Sequence, residues 1–204
     1  VYPYCHVQDS YLHLPSRPVR TAGLVAPLFS LRSDTDWGIG DFGALREAID
    51  FAAEAGMHAV QLLPINDTTS TRGTADSYPY NAISVDALHP IYIDPEALPA
   101  LPSKERKAFL REAKALRQLP VVDYPRVLEL KERFLRRAFE LQGKADLTSK
   151  DFRRFYDEAA AWLRPYALYC VLRDQFGSGT PSDWAGWEAY DEAKAAAYLD
   201  DAAH

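Results

Sequence analysis

Two short apolar runs on either side of one amphipathic helix constrain this chain more than any other feature. The first run, AGLVAPLFSL (22–31), is bounded by Gly23 and the charged RSDTDW, and its length predicts a buried strand. DFGALREAIDFAAEAG follows, with Leu45, Ala48, Ile49 and Ala52 at i, i+3, i+4 and i+7, which gives a helix one apolar face. Asp41 is placed to cap its start and Gly56 to stop it. HAVQLLP (58–64) is the second run, closed by Pro64, and predicts a strand over 59–63. Strand, helix and strand at this spacing form a βαβ unit whose strands are parallel neighbours.

After residue 95 the pattern turns helical. A charged helix is expected from Ser103, and a second with Pro125 in its first turn and Val127, Leu130, Phe134, Ala138 and Leu141 on one face. TSKD (148–151) reads as the capped start of a third, with Phe152, Phe155, Tyr156, Ala159 and Leu163 along one side. Pro165 is expected to interrupt it, and a further helix to run to Gly177 with Leu168, Val171, Leu172 and Phe176 inward. From Trp187 the chain is Ala-rich and weakly helical. Two parallel strands are too few for a complete parallel sheet, which needs both faces covered. The sequence therefore reads as the opening of a larger α/β architecture, interrupted by a helical insertion. The expected divisions are an N-terminal segment over 1–20, the βαβ unit with its long loop over 21–95, and the helical part over 96–204. LPSRPVR (14–20) has the composition of a linker, and the lack of an initiator Met suggests a piece of a longer protein.

A net charge of −6 and the absence of a basic cluster argue against nucleic acid or an anionic membrane as partner. No apolar run is long enough for a membrane span, and VYPYCHVQDS has neither the basic start nor the apolar core of a signal peptide. Cys5 and Cys170 read as two free thiols in a reducing compartment, so a cytoplasmic protein is expected.

GIGDFG (38–43) is a literal G-x-G-x-x-G between a strand and a helix, the pattern of a dinucleotide site. RSDTDW separates it from the first strand, so glycines shaping a loop are the simpler reading; an oxidoreductase-type nucleotide-binding domain is the alternative. A non-catalytic interaction module is another. SDTDWG lacks the glycine and the later Glu of a calcium loop. His6, His13, His58, His89 and His204 are scattered at no metal-ligand spacing, which favours surface or satisfied polar roles, and no metal or cofactor is expected. Asp67 and Asp76 are the better-placed acids, because they follow a parallel strand, where the active face of such folds lies. DSYPYNAISVDALHP (76–90) lies on that face. Tyr78 and Tyr80 offer rings to a sugar or aromatic ligand, Pro79 fixes their spacing, and Asp76, Ser77 and Asn81 offer groups for hydroxyls. In the competing reading, the tyrosines pack under the helical part with their hydroxyls satisfied.

GLVAPLFSLRSDTDWGIGDFGAL, HAVQLLPINDTT and DSYPYNAISVDALHPIYID together resemble the opening of the 4-α-glucanotransferases (amylomaltase, or disproportionating enzyme). The resemblance is dense over about residues 20 to 95 and thinner through LPVVDYPRVLELK and YALYCVLRDQFG. It is closest to the long form whose transferase domain follows starch-binding modules. It implies a (β/α)8 barrel with helical insertions near its start, of which 22–31 and 59–63 would be the first two strands. A whole barrel takes about 250 residues, so the barrel would be incomplete in this chain. The resemblance implies retaining transfer between α-1,4-glucans, with maltooligosaccharides or glycogen- and starch-type glucans as partners. The family's nucleophile, acid/base and supporting aspartate lie on later strands and match nothing here, so no catalytic residue is expected in the chain. Tyr80 matches the family's PY tyrosine that lines the glucose subsites, with Ser77 and Pro79 beside it, while Tyr78 is an added aromatic. Two unaccompanied strands would leave an open edge, a surface for self-association.

Overall fold

The computed structural model describes residues 20–99 and 101–201. The linker-like segment up to residue 19, with Cys5, His6 and His13, and His204 at the other end, lie outside the described residues. Strand β1 (Gly23–Val25) pairs in parallel with β2 (Ala59–Gln61), in the register Gly23↔Ala59, Leu24↔Val60 and Val25↔Gln61. Between them runs α1 (Phe42–Glu54). The βαβ unit is therefore present as read, but its strands are much shorter than 22–31 and 59–63. Ala26 adds one more ladder bond, to the Gln61 carbonyl at 3.0 Å. Pro27 then has no N–H to give, and the chain turns into a single 3₁₀ turn at Leu28–Ser30. Nor are the strands buried: Val25 is 65% exposed, because among the described residues no third strand pairs with either. The mixed helical and strand content is that of a partial α/β domain.

Local signals fix the ends of α1. Asp41 Oδ1 accepts from the Gly43 and Ala44 amides at 3.1 and 3.3 Å. At the far end Gly56 takes φ +72°, and the Met57 amide reaches back to the Ala52 carbonyl at 2.8 Å, closing a Schellman motif. Of the expected apolar stripe, Ala52 is buried and Leu45 and Ala48 are partly buried, whereas Ile49 is about half-exposed.

The main core lies away from the sheet. α2 (Ser103–Arg117) and α3 (Tyr124–Ala138) pack against the stretch from Leu28 to Leu45 and against residues 91–101. Val127, Leu130 and Phe134 are fully buried on α3, each contributing about 2 kcal/mol of apolar burial. Phe134 meets the Trp37 ring edge-on, with centroids 4.9 Å apart. Leu141, expected on the same face, is half-exposed; the helix widens into a π segment over Phe139–Gly143, which rotates that residue out. A short α4 (Lys144–Thr148) follows.

α5 (Lys150–Phe176) is one helix of 27 residues, and Pro165 does not interrupt it. Proline forfeits a single backbone bond, and buried residues on both sides of it, Ala159 before and Leu168 and Leu172 after, hold the two halves in line. Its start is capped as expected, Ser149 Oγ accepting from the Phe152 amide at 3.1 Å. Phe155, expected on one side with the buried Ala159, is about half-exposed. Leu168 and Leu172 form a second core with Trp184, Trp187 and Ala195, the last on α6 (Glu192–Asp200). No helix among the described residues is long and apolar enough to cross a membrane.

Candidate functional site: a cleft and a tyrosine turn beyond the parallel strands

The loops that follow the carboxyl ends of β1 and β2 line one cleft of about 460 Å³. Phe29 and Ser30 come from the first loop, Thr74 and Ser77 from the second, and Tyr92 and Tyr124 close the apolar side. Ser30 and Ser77 spend their hydroxyl protons on carbonyls of their own turns, Pro27 at 2.8 Å and Thr74 at 2.7 Å. Their lone pairs are left to accept from a ligand hydroxyl. Burial pushes the Tyr92 phenol up to about 12, so it stays a protonated donor at neutral pH. A ring-lined cleft with hydroxyls on one wall fits a polyhydroxylated ligand that has both apolar and polar faces.

Next to the cleft, Tyr78–Asn81 forms a turn, the Asn81 amide donating to the Tyr78 carbonyl at 3.2 Å with Pro79 in the position that suits its fixed φ. The Tyr78 and Tyr80 rings are each 60% exposed and lie 5.5 Å apart, centroid to centroid, at 52°. Thus the tyrosines do not pack under the helices. Ser77 borders the cleft, whereas Tyr78, Pro79, Tyr80 and Asn81 stand outside it on the adjoining turn. Asp76 turns inward instead. Its buried carboxylate accepts from the Ser70, Thr71 and Arg72 amides at 3.1, 2.9 and 2.6 Å, and from Thr71 Oγ1 at 3.1 Å. Its hydrogen bonds order the loop.

Asp67 is equally committed. One oxygen accepts from the Thr69 amide and hydroxyl at 2.9 and 2.7 Å, the other from Tyr166 Oη of α5 at 2.6 Å. Burial first, then Asp67, raises the Tyr166 phenol above its ordinary value, which keeps it a donor. His89 is buried in the same region and satisfied: the Ile91 amide donates to Nδ1 at 3.2 Å, and Nε2 bonds the Tyr124 hydroxyl. With Nδ1 accepting, the proton of the neutral ring is on Nε2. The sequence reading missed Tyr166. Its signal was a polar stripe on α5, with Tyr166, Cys170 and Arg173 at i, i+4 and i+7, on a helix otherwise read only for its apolar face. Cys170 is free, and burial raises its thiol.

GIGDFG is a packing device. A Cβ on Gly40 would come within 2.1 Å of the Leu28 carbonyl oxygen and 2.4 Å of that of Leu31. Gly38 has φ +96°. The start of α1, where a pyrophosphate would bind, already holds the Asp41 carboxylate, and Asp94 presses on Gly43. Two carboxylates there repel an anion, so the nucleotide reading fails. Asp36 is buried and accepts from the Arg32 side chain and the Ser33 and Gly38 amides; no group of possible metal ligands occurs among the described residues.

Two parallel strands joined through a helix, with the loops after their carboxyl ends gathered over a cleft, mark a partial α/β domain. Residues 26–204 match the family model described as 4-alpha-glucanotransferase, and the chain belongs to that family. It is 39% identical over 181 residues to "4-alpha-glucanotransferase DPE2" of Oryza sativa subsp. japonica, covering 89% of this chain and 19% of the relative. Identity to the 4-alpha-glucanotransferase of Chlamydia muridarum is 34% over 168 residues, covering 80% of this chain and 30% of that protein. For the Aquifex aeolicus 4-alpha-glucanotransferase it is 32% over 181 residues, covering 83% and 32%. The chain thus spans between 19% and 32% of the length of these relatives.

Proposed function

We propose that the chain supplies one wall of the glucan cleft of a 4-α-glucanotransferase, an enzyme that moves α-1,4-glucan segments between maltooligosaccharides. The observation that carries this is the exposed Tyr78–Tyr80 pair standing beside a cleft bordered by Ser30, Thr74 and Ser77. Sugar rings present apolar C–H faces to aromatics and hydroxyls to the groups around them, and this surface offers both. Tyr80 and Pro79 take the stacking face, Tyr78 extends it, and Ser77 and Asn81 accept or donate to hydroxyls. Asp76 acts from beneath by ordering the loop.

The chemistry is a retaining double displacement whose carboxylates lie outside this chain. Asp67 and Asp76, the acids best placed by sequence, are buried and bound to loop amides and hydroxyls, which leaves neither in a position to attack an anomeric carbon. β1 and β2 are the first two strands of a (β/α)8 barrel on this reading, and the helices from residue 96 onward are an insertion walling the cleft. The solvent-open edges of the pair await further strands or a second copy. A cytoplasmic location goes with this reading, supported by the lack, among the described residues, of a helix long and apolar enough to cross a membrane.

The test is binding and turnover together. Maltoheptaose titrated into the chain should perturb the Tyr78–Asn81 signals in an NMR spectrum. Maltotriose should be left unchanged by the chain and disproportionated, at constant reducing ends, by the complete enzyme. Release of glucose by the chain alone would refute the assignment of catalysis elsewhere.

A further inference from the structure

Resting on that reading, we infer that Tyr166 and Arg72 are positioning residues, a two-point latch by which the C-terminal helices hold the glucan-facing turn in place. The Tyr78 and Tyr80 rings contact each other but are otherwise largely in solvent, so their position is inherited from the loop beneath. Besides the Arg173 guanidinium of α5, which donates to the Thr69 carbonyl at 2.8 Å, two side-chain ties join that loop to helices distant in sequence.

The first point is Asp67, joined to Tyr166 Oη across 99 residues of chain. Asp67 also holds both ends of the loop through its backbone. Its amide donates to the Ala87 carbonyl at 2.9 Å, and its carbonyl accepts from the Ile83 amide at 2.8 Å. The second point is Arg72, which has φ +60° and is the one residue other than glycine with a positive φ among those described. An arginine held in the left-handed region costs energy, and something must offset it. Its amide is held by Asp76, and its guanidinium spans two helices, reaching Glu132 of α3 at 2.5 Å and Asp174 of α5 at 2.9 Å. Asp76 immediately precedes Ser77 and the tyrosine turn. The Arg72 arm therefore acts through the Asp76 carboxylate on the turn, and the Tyr166 arm acts through Asp67 on the closure of the loop.

Two variants separate this role from general stability. Tyr166→Phe keeps the ring and removes only the hydroxyl. Arg72→Gly removes the guanidinium at a residue whose φ suits glycine, so no new strain is added. Both are made in the 204-residue chain, with amide hydrogen exchange and maltoheptaose titration as readouts. The latch predicts faster exchange confined to residues 67–82 and maltoheptaose binding weakened about three- to tenfold in each variant, as loss of a single ordering contact would give. Exchange that accelerates equally across α3 and α5 would assign the two residues to general stability and overturn the inference. Equal maltoheptaose binding in all three proteins would overturn it alone. Failure of the unmodified chain to bind maltoheptaose would overturn the glucan reading and the latch's role together.

Discussion

Lys131 Nζ lies 3.2 Å from Asp41 Oδ2, with both side chains almost wholly out of solvent, and donates a second bond to the Ile93 carbonyl at 2.8 Å. The pair joins α3 to the capped start of α1, and so fixes the C-terminal helices to the βαβ unit. Burial drives the Lys131 pKa below its ordinary value, and the Asp41 carboxylate works against that fall. Removing one partner leaves the other buried without its counter-charge. Lys131→Ala should cost about 3–5 kcal/mol in urea unfolding, whereas Lys131→Met, which refills the volume, should still strand Asp41 and recover only part of that loss.

Gly40 makes the opposite point about a motif. A methyl group there collides with two backbone carbonyls, neither of which can swing aside. Gly40→Ala should destabilise by about 3 kcal/mol or more, measured by thermal or urea unfolding. Titration with NAD should give no saturable signal in the parent chain, since the glycines serve packing alone.

Tyr80 should behave in reverse. Its ring is mostly in solvent, so Tyr80→Ala should change unfolding free energy by no more than about 0.5 kcal/mol. If the ring stacks on glucan, the same change should weaken maltoheptaose binding about three- to tenfold, and Tyr80→Phe should retain most of the affinity. Unchanged affinity in Tyr80→Ala would assign the exposed pair no part in sugar binding.

What could be read in the sequence was what is decided locally. Asp41, Gly56, Ser149 and Pro125 mark helix ends through bonds spanning a few residues, and each stands where it was read. The helix through Pro165 was misread because the burial that holds it together comes from Trp184 and Ala195, which no local pattern announces. Leu28 looked like strand because apolar runs are ambiguous when short; its burial is against α2 and α3, nearly a hundred residues on. The tyrosine turn was legible as a place, through its Pro and Gly-poor aromatic composition. Its anchoring was not: Asp67 meeting Tyr166 and Arg72 meeting Glu132 are products of tertiary packing. Asp76 shows the cost of reading position without partners, since its place in the loop was visible and its inward direction was not.

His89 carries the last prediction. Burial lowers its pKa from 6.5 to about 4, against the pull of the Asp67 and Asp76 carboxylates and with the help of Arg173 and Lys131. The folded state therefore binds the proton less readily than the unfolded chain does. Between the two pKa values the unfolded state holds more protons, so stability rises with pH there. The contribution is fully present above about pH 6.5 and is lost as pH falls toward 4, a span worth on the order of 3 kcal/mol. The protonated ring would also lose the Ile91 amide's bond to Nδ1, since that nitrogen would then be a donor. Unfolding free energies measured at pH 7 and pH 4.5 should differ accordingly. His89→Gln, which cannot titrate, should be less stable than the parent at pH 7 and should flatten the pH dependence across this window. A parent chain equally stable at both values would mean that the folded and unfolded chains bind the proton alike, and that burial does not hold the His89 ring neutral.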